Sequence, residues 1–247
     1  MKKLTVGLFT GLLLPLCANA DMLGLHMGGG IWQKSYGGEI RTDLIDIDIE
    51  DDFGIEDGKD VVLHLAFEHP LPGLPNVRVQ YVPIVIDDDS TLTRDIEFGG
   101  ITFPVSTTIS TDIDLQQVDG TLYWEVLDNI ASLDVGLTVR YVDGGIDVSS
   151  IVDSASASFT GPVPMLYGAA RFDLPFNDIY VRANLNGTAY NKNSLIDGEV
   201  AVGWDSPLFV GVEVGYRSYM LHLDDVDDFA KMEIDVSGFF ASVTAHF

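Results

Sequence analysis

Leu208-Phe209-Val210-Gly211-Val212-Glu213-Val214-Gly215-Tyr216-Arg217 decides the fold. Leu208, Val210, Val212, Val214 and Tyr216 fall on one side of an extended chain, and Gly211, Glu213, Gly215 and Arg217 fall on the other. Successive side chains of a strand point to opposite faces, so a period of two marks a strand between unlike surroundings. Residues 131–141 repeat the pattern, with Ala131, Leu133, Val135, Leu137, Val139 and Tyr141 opposite Ser132, Asp134, Gly136, Thr138 and Arg140. It recurs where Ile179, Val181, Ala183 and Leu185 oppose Tyr180, Arg182, Asn184 and Asn186, and where Ile196, Val200, Val202 and Trp204 oppose Asp197 and Glu199.

Working outward from these segments gives ten strands at 22–33, 60–69, 76–87, 117–127, 131–143, 162–174, 178–190, 194–205, 207–221 and 232–247, with eight or twelve as alternatives. One set of connections is short and rich in turn formers: Pro70 to Pro75, Asp128-Asn129, Pro175 to Asp178, and Asp205-Ser206-Pro207. The other set, 34–59, 88–116, 144–161, 191–193 and 222–231, is mostly longer and acidic. Short turns at one end and long loops at the other mark an all-β, single antiparallel transmembrane barrel with periplasmic turns and extracellular loops. Segment 88–116 reads as a hairpin turning at Gly99-Gly100, which lengthens two strands rather than adding spans. A secreted β-sandwich also alternates. Against it, the polar faces carry Gly, Ser and Ala rather than Lys and Glu, and Trp124, Tyr141, Phe172, Trp204 and Tyr216 sit near strand ends on the apolar face, as an interfacial girdle requires.

Both ends of the chain agree with export to the outer membrane. Lys2 and Lys3, the apolar run Leu4 to Leu16 and Ala18-Asn19-Ala20 form a secretory leader, residues 1–20, with residues 21–247 as the barrel. The run is too short to span a bilayer as a helix. Cys17 raises lipidation, but Leu16 before it is not small, and cleavage after Ala20 leaves a mature chain without cysteine. At the other end Phe239, Ala241, Val243, Ala245 and Phe247 alternate in phase. A last strand ending in an in-phase aromatic is the form read by the machinery that inserts outer-membrane barrels, which makes Phe247 the assembly signal and that machinery a partner. Outer-membrane lipid and lipopolysaccharide are the other expected partners, with the barrel a monomer.

Thirteen Lys and Arg against 38 Asp and Glu give a net charge of −25. Nucleic acid needs basic patches and is excluded as a partner. Five of the seven arginines fall on inward positions: Arg78, Arg140, Arg171, Arg182 and Arg217. Glu68, Glu125, Asp134, Asp173, Asp197, Glu199 and Glu213 accompany them, with His26, His64, Gln80, Tyr123, Asn184 and His246. Charges confined in a small barrel must be paired. The set reads either as a salt-bridged plug or as a narrow charge-lined conduit for small polar or cationic solutes.

Carboxylates crowd the long connections at Glu39, Asp43, Asp46, Asp48, Glu50, Asp51, Asp52, Glu56, Asp57, Asp60, Asp87, Asp88, Asp89, Asp224, Asp225, Asp227 and Asp228. Such clusters are either solvated loop charge or hard-oxygen sites for Ca²⁺ or Mg²⁺, with Asp46, Asp48, Glu50, Asp224 and Asp225 as candidate ligands. No other cofactor is indicated. A rim protease of the omptin kind would use Asp87, Asp89, His222 and Asp224, yet the His-x-Asp order reverses the omptin pair. No Gly-x-Ser-x-Gly or His-Glu-x-x-His motif is present, so no catalytic residue is assigned and a non-enzymatic role is expected.

One hairpin is distinctive beyond its pattern. Ala66-Phe67-Glu68-His69-Pro70-Leu71-Pro72-Gly73-Leu74-Pro75-Asn76 resembles a family of small outer-membrane β-barrel proteins of marine gammaproteobacteria. The resemblance implies a signal peptide, a comparable length and a last strand ending in Phe, and it brings no site residues, since that family has no established activity. The hairpin also places Glu68 and Arg78 inward on neighbouring strands, where the two could pair.

Overall fold

A computed structural model describes residues 23–41, 46–50, 52–71, 73–128, 131–175, 178–226 and 229–247. The leader at 1–20, the cleavage point before Asp21, the acids Asp43, Asp51, Asp227 and Asp228, and the side chain of Asp225 lie outside these residues. No helix occurs among the described residues, and the strands in chain order are β1 Gly24–Arg41, β2 Asp46–Asp48, β3 Gly58–Glu68, β4 Asn76–Tyr81, β5 Ile84–Thr91, β6 Ile96–Phe98, β7 Ile101–Phe103, β8 Thr108–Asp128, β9 Ala131–Ser149, β10 Ser154–Asp173, β11 Ile179–Tyr190, β12 Asn193–Asp205, β13 Val210–Val226 and β14 Phe229–His246.

The wall has ten staves. β1, β3, β4 and β8 to β14 pair antiparallel in that order, and β14 returns to β1. Leu25 and Phe247 exchange backbone hydrogen bonds of 3.0 Å at the seam, so the last residue belongs to the closing ladder. β5 carries the line of β4 onward beyond Pro83 and pairs with β8 from Ile84 to Thr91. β6 and β7 form a separate hairpin turning at Gly99 and Gly100, both in the left-handed region that such a turn needs. Leu208 belongs to a turn and not to the strand expected from 207, because the Phe209 backbone is left-handed (φ 64°) and β13 begins at Val210.

Several staves are far longer than a bilayer needs. A tilted span takes about 9–11 residues, whereas β8, β9 and β10 have 21, 19 and 20. Much of the expected loops 88–116 and 144–161 is therefore strand. The two faces exchange polarity part-way along. On β8 the inward face runs Tyr123, Thr121, Asp119, Gln117 and then Leu115, Ile113, Ile109, while the outward face runs Trp124, Leu122, Val118 and then Gln116, Asp114, Asp112. β9 does the same, with Arg140 giving way to Val142, Ile146 and Val148 inside and Tyr141 to Asp143 and Asp147 outside. Register places the exchange side by side on both strands, since Asp119 pairs with Arg140 and Gln117 with Val142. Below the exchange the barrel is apolar outside and polar inside, as lipid demands; above it the wall encloses an apolar core and faces water.

The acidic loops serve that upper core. In 46–55, Ile47, Ile49, Phe53 and Ile55 are buried while Asp46, Asp48 and Glu50 stay exposed. Ile96, Phe98 and Phe103 of the β6–β7 hairpin are buried beside them, with Phe53 edge-on to Phe98 at 6.2 Å. The solvated, extended loop expected at 34–59 is corrected accordingly: Ile47, Ile49, Phe53 and Ile55 anchor it to the core.

The wall is uneven above the exchange. β9 pairs with β10 without a break through Pro162 and Pro164. Those residues have no N–H to give β9, so the even-numbered amides of β10 point the other way, toward β11. Pairing with β11 begins only at Leu166, opposite Gly187, just past the two prolines. Among the described residues the upper half of β10 has no strand partner on that side, although the Gly99 turn packs against it at Ala155. Phe98→Ala should cost the upper core about 3–5 kcal/mol. Limited proteolysis of the folded barrel should then cut within 92–107, while the heat-modifiable gel mobility of the membrane half persists; an uncut loop would show that this core does not hold it.

Candidate functional site

Arg140 stands inward on β9, fully buried. Its Nε and Nη2 donate to both oxygens of Asp119 at 2.7 Å, its Nη1 to Gln117 at 3.1 Å, and Nη2 again to Asp197 at 2.5 Å. Asp119 is the neighbour on β8, but Asp197 is on β12, so this bond crosses the lumen over β10 and β11. Asp197 also receives Arg217 Nε at 2.9 Å and Nη2 at 2.6 Å. Arg217 lies 3.6 Å from Glu199, which takes Arg182 Nη1 at 2.6 Å, and Arg182 forks onto both oxygens of Glu213 at 2.7 and 2.6 Å. The result is a continuous relay, Asp119–Arg140–Asp197–Arg217–Glu199–Arg182–Glu213, built on β8, β9, β11, β12 and β13. Planar guanidinium forks suit it because each can serve two carboxylates at once.

Neutral groups fill the gaps between these charges. Tyr180 donates to Glu213 at 2.7 Å and Asn184 to Glu199 at 2.8 Å. Tyr180 reaches there because Gly203 faces it: a Cβ on that glycine would sit 2.2 Å from the ring. Trp32, with no exposure, packs against Arg217 at 5.3 Å, and Tyr219 against Arg140 at 5.8 Å. Lys34, also fully buried, bonds Asp60 just above.

Toward the end where the chain closes, the lumen opens into a polar cavity of about 440 Å³ lined by Glu68, Arg78, Glu125, Asp134, Arg171, Asp173 and others. Arg171 donates to Asp173 at 2.9 Å and to Asp205 at 2.8 Å. The expected Glu68–Arg78 pair is not formed. Register sets Arg78 opposite Ala66, two residues away from Glu68, which instead takes Tyr123 Oη at 2.7 Å and lies 3.2 Å from His26. His64, His246, Arg182 and Asn184 also line this cavity, and Gln80 is buried above it.

Sequence reasoning passed over Asp119, Gln117, Lys34, Asp60 and Asp205. Asp119 and Gln117 share the inward parity of Tyr123 and were open to the same count by twos. Lys34 fell in a segment read as loop, Asp60 opened an expected strand but was counted with the loop acids, and Asp205 fell in a segment read as turn.

The outer acids meet partners of their own. Asp46 takes Arg41 at 2.6 Å, and Asp52 takes Arg94 Nε at 2.8 Å. Asp48 accepts the Glu50 amide at 3.0 Å. Lys192 lies 3.1 Å from Asp224, and His222 bonds Glu233 at 2.7 Å. Among the described residues no three His, Cys, Asp or Glu side chains are placed to hold a metal ion. Asp87 and Asp89 face outward on β5, whereas His222 and Asp224 are on β13, with β3, β1 and β14 between. The geometry does not assemble the four rim residues.

No protein-family model matches the chain, and no curated protein sequence does. Among solved structures it is similar to the outer-membrane protease OmpT of Escherichia coli, at 10% identity over 92% of this chain and 97% of that one, with a TM-score of 0.53. The fold is that of an outer-membrane β-barrel. The translocator domain of the autotransporter NalP from Neisseria meningitidis (8% identity, 91% and 88% covered, TM-score 0.47) and Ail of Yersinia pestis (10%, 92% and 99%, 0.41) are also similar.

Two consequences can be measured. Asp197→Ala strips two buried arginines of a shared partner and should cost about 3–5 kcal/mol, read as a lower thermal midpoint in detergent; an unchanged midpoint would mean the relay is not a structural element. In the upper core, the hydrogen bond and charge of Arg94 hold the Asp52 carboxyl below the ordinary aspartate range. A depressed folded value stabilises at higher pH and is lost as pH falls through it. Protease sensitivity of 92–107 should therefore rise as pH drops below about 4, and Arg94→Gln should flatten that dependence.

Proposed function

We propose that this is an integral outer-membrane barrel with a closed lumen, whose work is done on its outer surface in envelope structure or surface interaction. The observation that carries the reading is the bond from Arg140 to Asp197 across the lumen, between side chains of no more than 2% exposure. Above it Trp32 and Tyr219, and then the core of Ile47, Phe53, Phe98 and Phe103, leave apolar side chains where a conduit would need water. Location in the outer membrane is supported by the outward apolar belt, with Leu137 57% and Val214 61% exposed, and by the fold. Export through a cleaved leader and insertion by the barrel-assembly machinery, reading the strand that ends in Phe247, complete this reading, with outer-membrane lipid and lipopolysaccharide against the belt.

A non-enzymatic role is supported by the separation of Asp87 and Asp89 from His222 and Asp224, since catalysis needs mutual reach. Planar-bilayer recording of the purified barrel should give no steady current. Sustained conductance scaling with salt would overturn the closed lumen and favour a solute channel.

A further inference from the structure

We infer that the upper edge of β10, from Ser154 to Thr160, is a docking site for an extended, cationic peptide strand that adds antiparallel to the barrel wall. A strand edge with unpaired N–H and C=O groups is a template for another chain. Proteins usually blunt such an edge with charge or proline. β10 carries no charged residue between Ser154 and Ala170, and its prolines, 162 and 164, lie below this stretch. Above them the amides of Ser156, Ser158 and Thr160 point away from β9, and among the described residues no backbone partner meets them.

The surface next to the edge selects the charge of the occupant. Asp143 and Asp147 on β9, and Asp112 and Asp114 on β8, all face outward and exposed. No Lys or Arg among the described residues forms an ion pair with any of them. A peptide with basic side chains on its outward face would lie beside this row. Its inward side chains would cover Phe159, which points into the wall yet is 47% exposed. The exposed Ile151 and Val152 at the hairpin tip extend the apolar contact.

A second copy of the chain in the same membrane does not fit. Barrel strands tilt by about 35–45° from the axis, so two upright barrels related by rotation about the membrane normal present β10 edges that cross instead of aligning. Directly opposed residues in an antiparallel pair share a face. The even-numbered residues of β10 face outward and own the free amides, so the bonded amides of the incoming strand belong to its outward, basic residues.

This site rests on the surface-interaction reading, but peptide binding in detergent does not depend on whether the lumen conducts, so the two fail separately. The probe is a capped seven-residue peptide, Lys and Val alternating with Lys at both ends, titrated against the full barrel by fluorescence anisotropy. Binding should be lost by about tenfold or more when the internal Lys amides are N-methylated, and kept when the Val amides are. A Glu–Val counterpart should not bind. Ser156→Pro with Ser158→Pro should abolish binding while heat-modifiable mobility reports an intact barrel, and Asp143→Asn with Asp147→Asn should weaken it. Equal binding of the two N-methylated peptides, binding of the acidic one, undiminished binding to the proline variant, or no binding of the Lys–Val peptide would each overturn the proposal.

Discussion

The bond from Arg140 to Asp197 is the constraint on which the rest of the barrel turns. A buried ion pair is favourable only when geometry is close and every remaining donor and acceptor is satisfied. Arg140 has that close geometry with Asp119, Gln117 and Asp197, and Asp197 has it with a second arginine, Arg217, whose Nη1 is left without a hydrogen bond 3.6 Å from Glu199. The relay then propagates the requirement to Glu199, Arg182 and Glu213. Small inward residues follow from the same demand. Large polar side chains must lie across the lumen, so glycines face them, as Gly203 faces Tyr180 and Gly28 faces His64, where a Cβ would come within 2.3 Å of the imidazole.

Above the relay the solution changes because the solvent outside changes. Where lipid gives way to water, an apolar exterior is no longer favoured, and the apolar residues move to the inner face with strand and parity uninterrupted. A wall this tall would enclose a void were it not filled. Loop 46–55 and the β6–β7 hairpin fold inward to fill it, and the upper barrel becomes a soluble β-structure standing on a membrane one. Charged relay and apolar core thus share the same staves, each set by what faces the outside at that height.

This exchange explains what the sequence discloses readily and what it conceals. Residues 131–141 and 210–217 declare their faces because an apolar outer row meets a polar inner row, and counting by twos finds Arg140, Arg182, Asp197 and Arg217 together. Ile109, Ile113 and Leu115 continue the parity of Asp119 and Tyr123 with the opposite polarity, so a search for apolar-out strands stops at Val118. Asp46-Ile47-Asp48-Ile49 has the period of a strand, but its acids draw the eye to solvent or a cation while its isoleucines do the packing. Pairing across the lumen is concealed for another reason. Parity tells which face a residue takes, not its height, and the height of Arg78 against Glu68 depends on a register that a Pro-rich turn does not spell out.

The likeness to OmpT shows how far a shared wall carries. A closed wall sets a scaffold, while a reaction depends on particular groups brought within reach at the rim. In this chain His222 is held by Glu233, and Glu233 lies 2.9 Å from Lys231, which in turn lies 2.9 Å from Glu39 on β1. Lys231 lowers the Glu233 carboxyl from its ordinary range, which keeps it charged and keeps the histidine occupied. Asp88, turned inward between Asp87 and Asp89, accepts the Glu56 amide at 3.1 Å and ties β5 to the loop that fills the upper core. His222 and Asp224 are thus engaged with Glu233 and Lys192, and Asp88 anchors the cap, while Asp87 and Asp89 stand outward on another stave.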